Sequence, residues 1–434
     1  MRYYSTNSPA NFVSLKEAVL KGLADDNGLY MPEVIPTLPQ SFFDNMHNLS
    51  LAEIGFEVLK PYFCPDIPET VFKGIVDDAL NFEIPLVEIE SGIFSAELFH
   101  GPTCAFKDVG GRFMARILAH FVKDESKEIN ILVATSGDTG SAVANGFYKV
   151  PGVNVFVLYP KGLVSDVQEK QFTTLGHNIT SIEVEGTFDD CQRMVKEAFL
   201  DKKLNADFIL TSANSINLAR FIPQSVYYYY AVSRLPKAQR DKKVLFCVPS
   251  GNFGNLTAGL FAKKMGLKVD QFLAATNLND VVPEYIRKGK FTPRPSIATI
   301  SNAMDVGNPS NFARMLDIYK NDHSTFSVEI NGDFVTDEQV KETIITVDKN
   351  LNYTLDPHGA VGYYALKKAI TPEFVGIFLE TAHPAKFPEV VEPLIKRAVE
   401  TPQRLEDFKK GVKQSVEIKK ELEELKKVLY SRLK

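Results

Sequence analysis

The stretch ILVATSGDTGSAVANGFY, residues 131–148, leads from an apolar run into a helical pattern through a turn of small residues, Thr135 to Gly140. A short run without polar interruption is typical of a strand buried on both faces. The whole run is INILVAT, just before Ser136, and similar runs, separated by helical patterns, are VNVFVLY (153–159), ITSIEVE (179–185), DFILTSA (207–213), KVLFCVPS (243–250), QFLAAT (271–276) and FVGIFLET (374–381). This alternation predicts an α/β fold, with a parallel sheet covered by helices on both faces.

A second strand-to-helix turn has the same construction. LFCVPSGNFGNLTAGLFAKKMG, residues 245–266, places Ser250 to Gly254 at the turn. Ligands of parallel sheets bind at such turns, and a helix N-terminus offers an anion unpaired N–H groups and a positive dipole end. Neither turn is GxGxxG or a Walker A loop, which disfavours nucleotide binding by those two routes. One turn alone could equally be a plain capped helix start, but two S-G-[DN]-x-G turns in one sheet favour anion binding.

Lys107 lies in HGPTCAFKDVGGRF, residues 100–113, where a helix is predicted to begin near Asp108, with apolar positions at 113, 114, 117, 118, 121 and 122. The ordinary alternative is a surface lysine whose stem covers Phe106. However, the positive helix end and partial burial both lower the pKa of a lysine. A neutral lysine is a nucleophile for aldehydes and a general base. Such a lysine beside two anion-binding turns is what a pyridoxal-phosphate enzyme requires.

Composition excludes several other classes of protein. A net charge of -5 argues against nucleic-acid and anionic-membrane partners. No stretch of eighteen or more residues is apolar, and the N-terminus MRYYSTNSPANF lacks the layout of a signal peptide, so we expect a cytoplasmic protein. The cysteines form no CxxC pair, and no compact metal-ligand motif is present, so we expect no metal site.

The chain divides into three predicted regions. Residues 1–95 form a small α+β N-terminal domain, with a strand pair around Ser91-Gly92 at its end. Residues 96–400 form the catalytic α/β region, with a smaller subdomain at about 110–220. Residues 401–434 carry dense charge with apolar side chains at helical spacing, which predicts one amphipathic helix that packs on the protein or contacts a dimer partner. Either a monomer or a homodimer fits the sequence.

Six segments resemble the threonine synthase family of fold-type-II pyridoxal-phosphate enzymes. They are HGPTCAFKDVGGRF, TSGDTGSAVA, SANSINLAR, VPSGNFGNLTAG, SNAMDVGNPSN and ETAHPAKF, in this order between residues 100 and 387. The N-terminal YYSTN…DNGLYMPE resembles the small first domain of the same family. SGNxG-like turns alone indicate only the wider fold type, which includes dehydratases and cysteine and tryptophan synthases. The resemblance implies parallel sheets of the tryptophan synthase β type, covered by helices.

The resemblance also implies a role for each matching residue. Lys107 matches the Schiff-base lysine, and Thr381 the hydroxyl residue that faces the pyridine nitrogen of the cofactor. The residues that match the cofactor-phosphate turn are Ser250, Gly251, Asn252, Phe253, Gly254 and Asn255. Those that match the turn for the substrate's α-carboxylate are Thr135, Ser136, Gly137, Asp138 and Thr139. Many relatives have Asn in place of Asp138, near the phenolic oxygen of the cofactor, which leaves the role of this carboxylate open.

The implied reaction converts O-phosphohomoserine and water to L-threonine and phosphate, with Lys107 as general base and acid. Candidates for binding the substrate phosphate are Lys161, Ser165, Asn214, Ser215, Asn217 and Arg220, although Arg220 could equally lie on a helix surface. The alternatives are a dehydratase or phospholyase acting on a related amino acid, and a non-catalytic homologue that binds a ligand.

The sequence also allows predictions for three histidines and for a run of tyrosines. His100 either relays protons or packs through a hydrogen bond, and His383 either lines the pocket or fixes the TAHP turn. We expect a capping or structural role for His358. Tyr227 to Tyr230 lie on a helical pattern, which favours packing in the core or at an interface.

Overall fold

A three-stranded antiparallel sheet and four helices form the first part of the chain. The computed structural model describes residues 1–123 and 128–433. The first elements are β1 (Tyr3–Ser5), β2 (Ser8–Val13), α1 (Leu15–Lys21), β3 (Tyr30–Pro32), α2 (Gln40–Asn45), α3 (Leu51–Phe63) and α4 (Glu69–Ala79). The strand order is β2-β1-β3. Helix α3 begins at a capping box in which Ser50 and Glu53 satisfy each other's backbone N–H groups.

A hairpin and the lysine-bearing helix follow, as β4 (Leu86–Glu90), β5 (Ile93–Glu97) and α5 (Lys107–Val122). The predicted strand pair around Ser91-Gly92 is confirmed, because β4 and β5 are antiparallel neighbours. The hairpin does not join the sheet of β1 to β3, however. It belongs to a larger sheet that the second half of the chain completes.

The next part alternates strands and helices, as the apolar runs predict. Its elements are β6 (Ile129–Ala134), α6 (Asp138–Phe147), β7 (Val153–Pro160), α7 (Asp166–Thr173), β8 (Ile179–Glu185), α8 (Phe188–Leu200), α9 (Lys202–Asp207) and β9 (Ile209–Ser212). Neighbouring strands in this part are parallel. Thr187 caps α8 with its side chain.

The larger parallel sheet is built mainly from the following part. Its elements are α10 (Leu218–Phe221), α11 (Ser225–Ser233), β10 (Lys243–Pro249), α12 (Gly254–Lys264), β11 (Gln271–Thr276), α13 (Val281–Lys288), α14 (Phe312–Ile318), α15 (His323–Glu329), β12 (Ile330–Phe334), α16 (Asp337–Leu351), α17 (Pro357–Ala369) and β13 (Phe374–Glu380). The strand order is β12-β11-β10-β13-β5-β4, parallel except for β4. Tyr227 to Tyr229 are buried in the core, which confirms packing as their role.

The two turns predicted to bind anions lie on different sheets, so the expectation of a single sheet is wrong. The turn at 135–140 follows β6, whereas the turn at 250–254 follows β10. Runs that are apolar on both faces look alike in sequence, whichever sheet they join. Hydrophobic periodicity therefore predicts the strands but not their partners.

The charged tail is not one helix, which corrects the prediction for residues 401–434. After α18 (Pro388–Ile395) it forms α19 (Gln403–Lys409), β14 (Val416–Lys419) and α20 (Leu422–Leu433), and Lys434 lies outside the described residues. Strand β14 pairs in parallel with β8 and completes the smaller sheet in the order β14-β8-β7-β6-β9. The backbone of β14 pairs with an open sheet edge, and this pairing outweighs the helical spacing of the apolar side chains in the tail. Ile418 is therefore buried as part of a strand and not as part of a helix.

A fully buried arginine ties three parts of the fold together. Arg314 Nε and Nη2 donate to the carbonyl oxygen of Tyr30 at 3.2 and 3.0 Å, and Nη1 donates to Asn311 Oδ1 at 2.7 Å. Nη2 also donates to the carbonyl oxygen of Ile216, and the guanidinium lies 4.1 Å from the ring centre of Phe221. Arg314 thus joins the N-terminal sheet, the SANSIN loop and α14.

We expect Arg314→Met to lower the free energy of unfolding by about 3 kcal/mol, because buried carbonyl groups of Tyr30 and Ile216 lose their donors. Urea unfolding followed by circular dichroism measures the change. The matched control is Arg287→Met, which removes an exposed ion pair with Asp280 and should cost less than about 1 kcal/mol. Equal losses for the two variants would contradict the bridging role of Arg314.

Candidate active site

The loop before Lys107 is held against the segment that follows β13. The backbone N–H of Phe106 donates to the carbonyl oxygen of Thr381 at 2.9 Å, and that of His383 donates to Cys104 at 3.0 Å. These bonds bring Lys107, at the first position of α5, near Thr381, at the carboxyl end of β13. Two predicted site residues that are far apart in sequence therefore lie in neighbouring segments of the fold.

Asp108 and the glycines after it serve the packing of α5. Asp108 is buried and accepts hydrogen bonds from the backbone N–H and the hydroxyl of Thr103, at 2.8 and 2.7 Å. A Cβ on Gly110 would lie 2.3 Å from the carbonyl oxygen of Arg220 on α10. A Cβ on Gly111 would lie 2.8 Å from a carbonyl oxygen of α6. The glycines thus let both helices approach the start of α5 closely.

The environment of Lys107 favours a neutral amine. Burial lowers the pKa of Lys107, the positive charges of Lys386 and Arg220 lower it further, and the negative charge of Asp138 opposes them. Within residues 1–123 and 128–433, no carboxylate oxygen lies within ion-pair distance of Lys107 Nζ. The shift has the direction predicted from the sequence, and burial is its largest cause.

The turn at 135–140 is shaped by its own threonine. Thr135 Oγ1 accepts from the N–H groups of Gly137 and Gly140 at 2.9 and 2.8 Å and donates to the carbonyl oxygen of Gly137. Gly137 has φ 142°, a value that favours glycine. Among the described residues, the N–H groups of Ser136, Asp138 and Thr139 have no acceptor. These donors at the start of α6 suit a carboxylate.

Asp138 is not a free acceptor in this turn, because two other side chains hold it. Its Oδ1 lies 2.6 Å from Lys386 Nζ and accepts from Gln168 Nε2 at 2.8 Å. Lys386, whose side chain is 0% exposed, also donates to the carbonyl oxygen of Thr103 at 2.8 Å. Sequence analysis missed Lys386, although this lysine lies inside the quoted motif ETAHPAKF. The available signal was a lysine in a short segment whose other residues are typical of buried positions.

The turn at 250–254 forms a cradle of backbone N–H groups at the start of α12. Ser250 Oγ donates to Asn255 Oδ1 at 2.8 Å, and Asn255 Nδ2 donates to the carbonyl oxygen of Pro249 at 2.9 Å, so both side chains shape the turn. Phe253 precedes α12 in the left-handed conformation, with φ 58°. In the described part of the chain, the N–H groups of residues 251–255 have no acceptor. A phosphate group fits this set of donors.

The SNAMDVGNPSN segment covers the cradle from outside. A Cβ on Gly251 would lie 2.8 Å from the carbonyl oxygen of Ala303. Ala303 in turn donates its N–H to His358 Nε2 at 3.2 Å, and His358 Nδ1 lies 2.6 Å from Asp356 Oδ1. His358 therefore positions the covering segment, which confirms its structural role. Asn252 Oδ1, on the same turn, accepts from the N–H and hydroxyl of Ser310 at 3.3 Å.

Arg220 is the strongest of the candidates for the substrate phosphate. Its side chain is buried, not on a helix surface, and burial lowers its pKa to about 10. Nη1 donates to the carbonyl oxygen of Ala213, whereas Nε has no partner among the described residues. A buried cation with an unpartnered donor and no ion-paired carboxylate is suited to an anionic ligand.

The other phosphate candidates occupy varied positions. Asn217 caps α10 and donates to the carbonyl oxygen of Val19 at 2.8 Å, so it supports the loop. Ser165 caps α7 beside Gln168, and Ser215 lies near Gly254. The half-buried Asn214 donates its backbone N–H to Ser212 Oγ at 3.3 Å. Lys161 is about half exposed and ion-paired with Glu417 of β14, and no contact brings it to the group around Lys107.

Two remaining histidines make local contacts. His100 Nε2 lies 2.7 Å from Glu97 Oε2, which agrees with the packing alternative. His383 Nδ1 accepts the N–H of Ala385 at 3.1 Å, so it fixes the TAHP turn. Burial lowers the pKa of His383 to about 4. Among the described residues, no group of three or more His, Cys, Asp or Glu side chains is placed to bind a metal ion, and no helix is both long and apolar enough to cross a membrane.

Two parallel sheets, each with a strand-to-helix turn whose N–H groups are open, and a lysine near them are the features that a fold-type-II pyridoxal-phosphate-dependent enzyme requires. A family model described as pyridoxal-phosphate dependent enzyme matches residues 84–377. Models of the threonine synthase N terminus and of the threonine synthase C-terminal region match residues 2–80 and 359–429. The chain belongs to the threonine synthase family.

Individual relatives agree with this assignment over nearly the whole chain. Threonine synthase of Haemophilus influenzae is 44% identical over 406 residues, which cover 94% of each chain. The crystal structure of threonine synthase from Escherichia coli superposes with a TM-score of 0.92 at 41% identity and covers all of both chains. The structure of PLP-bound threonine synthase from Brucella melitensis gives a TM-score of 0.94 at 33% identity, again covering both chains fully.

Proposed function

We propose that this protein is a threonine synthase, which converts O-phospho-L-homoserine and water to L-threonine and phosphate with pyridoxal phosphate as cofactor. The observation that carries the proposal is the buried Arg220 near Lys107. Among the described residues, this arginine has an unpartnered Nε and no ion-paired carboxylate. A substrate that brings its own phosphate supplies the missing anion, whereas the substrates of a simple serine or threonine dehydratase do not.

Bound pyridoxal phosphate supplies an aldehyde for amines and a conjugated ring that accepts electron density from the substrate's α-carbon. Its phosphate fits the N–H groups of residues 251–255, where the helix dipole of α12 adds a favourable field. The hydroxyl of Thr381 would face the ring nitrogen. A neutral partner there leaves that nitrogen less protonated than a carboxylate partner would, which limits how far negative charge spreads into the ring.

The proposed roles of the other residues follow from their open donors and charges. The N–H groups of Ser136 and Thr139 bind the α-carboxylate of the substrate, and Arg220 binds its phosphate. Lys107, whose pKa is lowered by burial, accepts the α-proton at Nζ and returns protons later in the reaction. A group that both accepts and donates protons works best with a pKa close to neutral.

We also propose a cytoplasmic location and either a monomer or a homodimer, since the composition favours no membrane or nucleic-acid partner. The divisions at residues 1–95, 96–400 and 401–434 stay predictions of domain organisation.

Product analysis of the purified holoenzyme tests the proposed reaction. We expect O-phosphohomoserine to give L-threonine and inorganic phosphate in equal amounts, while L-serine and L-threonine give little keto acid. Chromatography of derivatised amino acids and a colorimetric phosphate assay measure the two products. Phosphate release without threonine would refute the proposal, and rapid formation of 2-oxobutanoate from threonine would favour the dehydratase.

A further inference from the structure

Lys386 and Asp138 form a buried ion pair beside Lys107. Lys386 Nζ lies 2.6 Å from Asp138 Oδ1, and the two side chains are 0% and 6% exposed. Gln168 Nε2 donates to the same carboxylate oxygen at 2.8 Å, and Lys386 donates to the carbonyl oxygen of Thr103 at 2.8 Å. Each charge therefore has a charged partner and one further hydrogen bond, which is what a buried pair needs to be tolerated.

The charges around Lys107 come from several elements. Asp138 on α6 is the carboxylate that acts on Lys107, and Lys386, after β13, and Arg220 on α10 are the cations that act on it. Asp108, the other acidic group close to Lys386, accepts two hydrogen bonds from Thr103. The Cys104 thiol also lies near Lys386, and burial raises its pKa to about 11, so it is neutral near pH 7.

Asp138 needs a cation in this site. An ionised carboxylate that is buried without a partner costs several kcal/mol, so it takes up a proton or pairs with the nearest cation. If Lys386 were absent, Lys107 would be the lysine left to pair with Asp138, since Asp138 already acts on it electrostatically. Such pairing would hold Lys107 protonated, and a protonated amine neither attacks an aldehyde nor accepts a proton.

We propose that Lys386 is a positioning residue of the active site: its ammonium group holds the Asp138 carboxylate, so that this carboxylate does not become the counter-ion of the Lys107 nitrogen. The pair is neutral as a whole, and Nε of Arg220, another cation that acts on Lys107, has no partner among the described residues. The inference rests on the proposed role of Lys107 as the amine that joins the cofactor, but not on the identity of the substrate.

The proposal predicts shifts of opposite sign in the two single variants. In Lys386→Met, Asp138 becomes free to pair with the Lys107 nitrogen, which then stays protonated to higher pH. In Asp138→Asn, two cations remain and the carboxylate is gone, so the same nitrogen loses its proton at lower pH. We expect the midpoint of the titration of the Lys107 nitrogen to move by about one pH unit or more from its wild-type value in each variant, since a close charge shifts a pKa by that amount.

The test is a pH titration of the visible absorbance of the holoenzyme, which reports protonation of the Lys107 nitrogen joined to the cofactor. Competitive acetylation of the full-length, cofactor-free protein with acetic anhydride gives a second readout. Mass spectrometry follows Lys107 in this experiment, with the exposed Lys123 at the end of α5 as internal reference. Neither readout depends on turnover of a substrate.

Two further variants keep the test decisive if a single variant folds poorly. Lys386→Arg retains the cation and should titrate like the wild type. The double variant Lys386→Met/Asp138→Asn has no unpaired buried charge from this pair, and its midpoint should lie between those of the two single variants. Shifts of the same sign in both single variants, or unchanged midpoints, would overturn the proposal. If the wild-type holoenzyme forms no threonine while the two variants still show the opposite shifts, the proposed reaction is refuted and this inference stands.

Discussion

Lys107→Ala is expected to reduce kcat/KM for threonine formation by at least about 10⁴-fold, because one side chain is proposed both to join the cofactor and to transfer protons. The variant should also lose the visible absorbance of the lysine-bound cofactor. The fold should survive, since Lys107 is half-buried and has no ion pair among the described residues. Steady-state kinetics, absorption spectra and circular dichroism measure the three effects.

Lys123→Ala is the matched control for this prediction. Lys123 lies at the C-terminal end of the same helix and is exposed. Its removal should leave the kinetics, the spectrum and the fold unchanged. A visible spectrum in Lys107→Ala identical to that of the wild type would show that another amine joins the cofactor, and the buried Lys386 would then be the first to test.

The strands and the lysine were predictable from sequence because both depend on local patterns. Seven apolar runs mark the strands β6 to β11 and β13, since burial on both faces leaves a continuous apolar signature. The helix start at Lys107 is equally local. Apolar side chains repeat at helical spacing after it, and the structure begins α5 at that residue.

Other features depend on pairing across the chain and could not be predicted in this way. Strand β14 forms because the edge of β8 is available to it, which no spacing within the tail reveals. The role of Gly110 and Gly111 depends on carbonyl groups of α10 and α6 that lie close to them only in the folded protein. Lys386 is the clearest case, since its role in the site depends on an ion pair with Asp138, which lies far from it in sequence.

These features also change how the turn at 135–140, proposed to bind the substrate's carboxylate, is understood. Thr135 and Asp138 match the family motif, yet Thr135 folds the turn and Asp138 is held by Lys386 and Gln168. The donors left for a ligand are mainly backbone N–H groups. A family motif thus contains residues that shape the site as well as residues that touch the substrate. Only the contacts in the folded protein distinguish these two kinds of residue.

Arg220→Met is expected to lower kcat/KM for O-phosphohomoserine by about 10²–10³-fold, because a buried charge-assisted contact with the substrate phosphate is lost. The visible absorbance of the cofactor should remain, since Lys107 and the turn at 250–254 are intact. Inhibition by inorganic phosphate should weaken as well, and this readout is independent of the chemical step. Steady-state kinetics with added phosphate measures both effects in one experiment.

The main competing explanation is that Arg220 only supports the fold, since it donates to the carbonyl oxygen of Ala213. Arg220→Lys separates the two possibilities, because lysine keeps the cation that phosphate needs but not the fixed geometry of the guanidinium. We expect this variant to recover part of the phosphate inhibition and of kcat/KM. Arg193→Met, on the surface of α8, should match the wild type in both. Unchanged phosphate inhibition in Arg220→Met would contradict the assignment, and the search for the phosphate site would then move to Ser215.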